Sequence, residues 1–408
     1  MENNTILFLS HLIPHEIYDE VSKNSNNNMQ DAANALQWHL VEGFNYNLGG
    51  NYDIINFLPI ASFPQYYSKM LIRGGFFDAG MQHKAYNVPF CNVKYLRRLS
   101  IASNLYRSVS DWCECHINEK KVIIVYTLNS NALEVLSKVK ESYADISICA
   151  IVADLPEMLN LSSKKSIFRR CADKQRTKAS YSNIDAIDKF VFLTEHMSDF
   201  LENTKPYCVM EGIATNHFEE ADIVEFKRDS KVKEILYTGT LHKKFGILHL
   251  IRSFSLIDDP DYRLIICGWG DSEAEIREAA QKDPRIIFRG KCSRSEALKL
   301  QKSVTVLVNP RLNNEDFTKY SFPSKNMEYL SSGTPLIAYK LDGIPDEYDR
   351  YINYPKDNTS QELAELIVDI CETSSEQRNR LGACARKFIM ENKSSNVQTR
   401  KILELIKK

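Results

Sequence analysis

The sequence predicts an α/β chain of two Rossmann-like, doubly wound parallel-sheet domains facing a cleft, on three observations. Short apolar runs recur at strand length, each leads into a helical pattern, and the rhythm restarts in the second half. Runs that read as continuous Val, Ile and Leu are buried on both faces, as in a parallel sheet between helix layers. At 408 residues the chain exceeds a single core and accommodates two domains.

The first series of strands is predicted at Ile6 to Leu9, Ile54 to Leu58, Val122 to Tyr126, Ile146 to Val152 and Phe190 to Leu193. The second is predicted at Glu234 to Tyr237, Arg263 to Cys267, Arg285 to Phe288, Val304 to Val308 and Pro335 to Ala338. The ENTKPY stretch at 202–207 breaks the pattern, giving an N-terminal domain over 1–205 and a C-terminal domain over 206–385. The helical pattern from Ser375 to Lys407 reads as one last helix, whose 386–408 part could pack back on the first domain. Ligands of such sheets bind beyond the carboxyl ends of the strands, so two facing domains make one cleft.

Composition excludes several classes. The balance of 52 basic against 53 acidic residues gives a net charge of −1, which removes any case for a nucleic-acid binder driven by global charge. Of the ten cysteines only Cys113 and Cys115 are close, and C-E-C-H lacks the second ligand pair of a zinc site, so no metal is expected. Scattered cysteines inside apolar strands suit a reduced, cytoplasmic chain. The start MENNTILFLSHLIPHE reads as a first strand rather than a signal peptide, and no apolar run is long enough to span a membrane.

The chemistry concentrates in YSFPSKNMEYLSSGTPLIA, from Tyr320 to Ala338. Pro323 suits a helix start, and the amides of Ser324 and Lys325 would then face an anion, with the Lys325 charge added to the helix dipole. Glu328 lies on the same face one turn later, where a carboxylate can accept two ribose hydroxyls. In ILYTGTLHKKFGI, Gly239 lets a ligand approach the backbone, followed by Thr240, His242, Lys243 and Lys244. In IICGWGDSEAEIREAA, Gly268 and Gly270 close a strand and Asp271 or Ser272 caps a helix.

These pieces together resemble a GT-B glycosyltransferase of the family 4 type, as in bacterial capsule, O-antigen or exopolysaccharide synthesis. The matching stretches run in order over nearly the whole chain: DLPE at 154–157, VFLTEHM at 191–197, VMEGI at 209–213, YTGTLHKKFGI, ICGWGD, IIFRG at 286–290, and NPR with SFPSKNMEYLSSGTPLIA. The resemblance implies a hexosyltransferase that moves a sugar, with retained anomeric configuration, from a nucleotide diphosphate sugar to a glycan or lipid-linked acceptor. It implies no metal or other cofactor. It implies catalytic roles for Lys325 at the donor diphosphate, Glu328 at the ribose and Asp154 near the sugar. Gly239, Thr240, Lys243, Lys244, Gly268, Arg289, Arg311, Tyr320, Phe322, Ser324, Lys325 and Glu328 would face the donor. His11 and His15, after the first strand, are acceptor-side candidates.

Three departures from that family stand out. Tyr320 occupies the position, eight before Glu328, where a glutamate is common, with Glu315 and Asp316 further upstream. Thr240 replaces the usual arginine, leaving Lys243 or Lys244 to supply the charge. The glycine pair of the first loop gives way to SHLIPHE and NSNNNM. A non-catalytic GT-B partner subunit and a sugar-nucleotide epimerase are the alternatives. Finally, Lys164, Lys165, Arg169, Arg170, Lys174, Arg176 and Lys178, and a second basic and aromatic stretch over 66–107, suit peripheral contact with an anionic inner membrane face.

Overall fold

The apolar runs form two separate parallel sheets. The computed structural model describes residues 4–26, 29–143, 145–156, 177–214, 230–314 and 316–408. It divides into one unit of Met1–Ile213 with Ser395–Lys408 and another of Ala214–Ser394. The basic residues between Lys164 and Arg176, and Glu315, lie outside the described residues.

In the first unit the strands are β1 Asn4–Ser10, β2 Asp53–Asn56, β3 Leu71–Ile72, β4 Gly75–Phe77, β5 Ala85–Asn87, β6 Phe90–Cys91, β7 Lys120–Tyr126, β8 Ile146–Val152, β9 Lys189–Phe192 and β10 Tyr207–Val209. The main sheet has the order β10-β9-β8-β7-β1-β2-β5-β4, parallel except for β4 against β5, while β3 and β6 form a separate antiparallel ribbon. The central strands are buried along nearly their whole length, as continuous aliphatic runs require. The chain runs outward from β1 through β2 in one direction and from β7 in the other, so the β1/β7 junction is a switch point.

The second unit repeats the design with β11 Lys233–Thr238, β12 Tyr262–Cys267, β13 Ile286–Gly290, β14 Val306–Asn309, β15 Leu336–Ala338 and β16 Ile352–Asn353, in the order β13-β12-β11-β14-β15-β16. All of its pairings are parallel. Its switch point lies between β11 and β14. Tyr237, Leu264, Ile266, Leu307 and Tyr329 are among its fully buried side chains.

Two expectations need correction. The chain does not change unit at ENTKPY, because Tyr207–Val209 pairs with Phe190–Phe192 as the edge strand of the first sheet. The turn there is a connection within the unit. The last helix is in fact two, Ser375–Asn392 and Ser395–Lys407. Between them Lys393 accepts from the Ala214 amide at 2.8 Å, and Ser394 bridges Ala214. The helix after the break belongs to the first unit. There Ile402, Leu405 and Ile406 are buried with Phe44 in one core, and a Cβ on Gly43 would stand 2.2 Å from the Ser395 carbonyl.

Candidate functional site

The switch point of the second unit assembles the residues singled out in the sequence. β11 ends at Thr238 and turns through Gly239 at φ 139, and a Cβ there would stand 1.6 Å from Nζ of Lys325. Only glycine leaves room for that ammonium beside the backbone. Lys325 lies in the first turn of the Ser324–Ser332 helix and donates to the Thr238 carbonyl. Gly268, at φ 145, closes the floor, since a Cβ there would meet the Gly239 carbonyl at 1.7 Å. On the β14 side, Gly246 approaches the Pro310 carbonyl so closely that a Cβ would stand 2.0 Å away, which holds the 239–246 loop against Pro310 and Arg311.

Lys325 keeps part of its surface accessible, yet its ammonium is packed over the Tyr237 ring at 4.9 Å and near the Tyr329 ring at 5.9 Å. Burial lowers its pKa to about 8, against the partial support of the Glu328 carboxylate. Arg311, also buried, places its guanidinium 5.8 Å from the Phe245 ring and near enough to Tyr237 to act on its hydroxyl. Two cations and a helix N-terminus therefore converge around one tyrosine.

A buried hydrogen-bond relay fixes this arrangement. The Tyr329 hydroxyl accepts from the Thr238 amide at 2.8 Å and donates to the Thr238 carbonyl at 3.2 Å. Gln301, wholly buried, donates through Nε2 to the Thr238 hydroxyl at 3.0 Å and to Oε1 of Glu328 at 2.6 Å. Asn309, the last residue of β14, donates to Asn326 Oδ1 at 2.6 Å, tying the helix start to the sheet. Tyr329, Gln301 and Asn326 escaped the sequence reading. Tyr329 stands four residues after Lys325, on the same helix face, which was the available signal.

The other candidates divide. Ser324 is exposed at the helix start and Glu328 is half-buried, both on the Lys325 side. Phe322 is buried against Tyr348 at 5.2 Å and Tyr320 is half-buried at the end of the 3-10 turn Asp316–Tyr320, so both support the segment leading into the helix. Arg289 is exposed on β13. Thr240 uses its carbonyl to accept from the Tyr237 hydroxyl at 2.8 Å. Lys243 pairs with Glu275 at 2.5 Å and its amide donates to Asp271 at 3.0 Å, while Lys244 lies 5.2 Å from the Phe245 ring. Asp271, spent on the Lys243 amide, does not cap the following helix, nor does the Ser272 side chain.

In the first unit His11 follows β1 at its switch point. Its backbone is clamped by Gln37, which accepts from the His11 amide at 2.7 Å and donates to its carbonyl at 3.0 Å. The ring packs edge-on against Phe57 at 4.0 Å, Nε2 is buried without a partner among the described residues, and burial with the nearby Arg97 charge lowers its pKa to about 3. His15, by contrast, is exposed and stacked on Trp38 at 4.0 Å. Asp154 follows β8 with an accessible surface, but the surrounding protein raises its pKa to about 6. Thr127, directly after β7, holds φ 61, a strained value for a β-branched residue, and sequence gave no sign of it.

Residues 218–388 match the family model described as Glycosyl transferases group 1. No curated protein matches the chain by sequence. Among solved structures, the chain is similar to the lipopolysaccharide outer core galactosyltransferase WaaB in its apo form, with 14% identity, TM-score 0.61, and coverage of 98% of this chain and 99% of that one. It is similar to Anabaena HepE in complex with UDP, at 13% identity, TM-score 0.61 and 99% of each chain. It is also similar to a mutant of S. aureus TarM in complex with fondaparinux, alpha-GlcNAc-glycerol and UDP, at 11% identity, TM-score 0.60 and 100% of each chain. The two doubly wound units thus have the GT-B fold.

Proposed function

We propose that this GT-B glycosyltransferase, with its group 1 domain in the second unit, moves a hexosyl group from a nucleoside diphosphate sugar to a glycan or lipid-linked saccharide. We place the reaction in bacterial surface polysaccharide synthesis, at the cytoplasmic face of the membrane. The observation that carries the donor assignment is the convergence of Lys325 and Arg311 on Tyr237 at a helix start. The UDP in the HepE and TarM structures supports a nucleotide donor, and the WaaB title supports a surface saccharide as acceptor.

In this reading the diphosphate leaving group meets the Lys325 ammonium, the Arg311 guanidinium and the amides of the helix start, and no metal cofactor is required. Departure of the nucleotide concentrates charge on the β-phosphate, where preorganised donors favour the transition state over the bound substrate. Glu328, steadied by Gln301, accepts from the ribose hydroxyls. The sugar is transferred with retention of configuration. In the first unit, Asp154, with its pKa raised to about 6, and His11, held neutral, are the acceptor-side candidates of this reading.

The test is incubation with labelled UDP and GDP hexoses, with and without a saccharide acceptor. Release of nucleoside diphosphate that depends on acceptor is the expected outcome. Absence of any nucleotide binding contradicts the reading, and release of an epimer without acceptor replaces it with epimerase chemistry.

A further inference from the structure

The Leu96–Cys115 helix carries two apolar stripes where a surface helix needs one. Ile101, Leu105, Val109 and Trp112 are buried and hold the helix to its unit. Leu96, Leu99 and Tyr106 recur at the same helical spacing along another stripe, and they are exposed, Leu96 by 53% and Leu99 by 68%. Tyr95, just before the helix, is 79% exposed. The β3–β6 ribbon extends this surface. Ser100 of the helix accepts from the Cys91 amide at 3.0 Å, and opposite Cys91 stands Leu71, 63% exposed, with Met70 beside it at 47%.

The chain leading into and through the first half of this helix is mostly basic, with exposed Asp111 and Glu114 further along the helix. From Tyr66 to Arg107 the basic residues are Lys69, Arg73, Lys84, Lys94, Arg97, Arg98 and Arg107, and Asp78 is the one acid. Lys69 is paired with Glu20 and Arg98 with Glu134. Arg73, Lys84, Lys94 and Arg107 are exposed and make no ion pair among the described residues. Exposed leucine and tyrosine rimmed by such cations match the interface of an anionic bilayer, where apolar tips enter the acyl boundary and basic groups meet headgroup phosphates. No helix among the described residues is long and apolar enough to cross a membrane.

We infer that Leu71, Tyr95, Leu96, Leu99 and Tyr106, with the cations Arg73, Lys94 and Arg107, form a surface that docks on anionic lipid. The inference rests on the membrane contact proposed above and assigns it to these residues.

Sedimentation of the full chain with vesicles tests it, using phosphatidylcholine alone and phosphatidylcholine mixed with phosphatidylglycerol. The wild type should bind the anionic vesicles and release them as salt rises. The double variant Leu96→Glu with Leu99→Glu should bind at least about tenfold more weakly, and Lys94→Glu with Arg107→Glu should lose the preference for anionic lipid. Leu256→Glu, an exposed leucine of the second unit, should bind like wild type. A retained thermal shift with UDP shows that each variant is folded. Vesicle binding that both double variants keep overturns this assignment while sparing membrane contact. Absence of binding by the wild type overturns both. A dimer seen by light scattering and lost in the leucine variant, without lipid binding, also overturns the inference and gives the surface to a second copy.

Discussion

Lys325 carries a conflict that a bound anion would resolve. Burial over Tyr237 and Tyr329 disfavours its charge, yet its hydrogen bond to the Thr238 carbonyl is stronger when the donor is charged. Its pKa, lowered from the ordinary 10.5 to about 8, means that the unfolded chain holds this proton more tightly than the folded one. Stability attributable to Lys325 therefore rises with pH between about 8 and 10.5. Thermal melting of wild type and Lys325→Met should diverge in favour of the wild type across that window, and parallel curves would refute the burial. Gly239→Ala should fail differently. Its Cβ would stand 1.6 Å from Nζ at a φ of 139, so the lysine must move. We expect a loss of roughly 1 to 3 kcal/mol in stability and of the thermal shift given by UDP, both read by melting with and without nucleotide.

The decisive element is the Ser324–Ser332 helix, because everything it presents depends on where it starts and stops. Asn309 ties its first turn to β14, and its end at Gly333 touches Gly382 of the Ser375–Asn392 helix so closely that a Cβ on Gly382 would stand 1.8 Å from the Gly333 carbonyl. Gly382→Ala should shift the helix, lower the melting temperature by several degrees through roughly 1 to 3 kcal/mol of overpacking, and weaken UDP binding although it touches no ligand. The helix, its start after Pro323 and the apolar strand that follows were legible in SFPSKNMEYLSSGTPLIA because each rests on local rules of spacing and capping. The relay through Gln301, Thr238 and Tyr329 was not, because it joins residues from three distant stretches. The exposed stripe of the Leu96–Cys115 helix was hidden for another reason. Leu96 and Leu99 have the spacing of core residues, and only burial separates them from Ile101 and Leu105.

For the whole molecule, the sequence revealed two parallel-sheet units through their continuous aliphatic strands, but not where the chain passes between them. The local break at ENTKPY lies inside the first unit, since Tyr207–Val209 finds its partner by pairing, which composition does not record. The passage back at Lys393 and Ser394 was equally silent, being held by the Ala214 amide. The Ser395–Lys407 helix buries Ile402, Leu405 and Ile406 in the core of the first unit. A chain ending at Ser394 should accordingly expose that core, bind a hydrophobic dye and lose the first unit's cooperative melting, while the second unit keeps its UDP-dependent shift. Retention of both transitions would show that the helix is dispensable.

Lys325 is the residue we propose to receive the donor diphosphate. Titration calorimetry with UDP at pH 8, in two buffers of different ionisation enthalpy, measures affinity and proton uptake together. A phosphate beside the ammonium raises its pKa, so the wild type should take up part of a proton on binding. Lys325→Ala should bind at least about tenfold more weakly, the loss of a charge-assisted contact, with that uptake gone. Equal affinity and equal proton uptake in the variant would show that the diphosphate lies elsewhere.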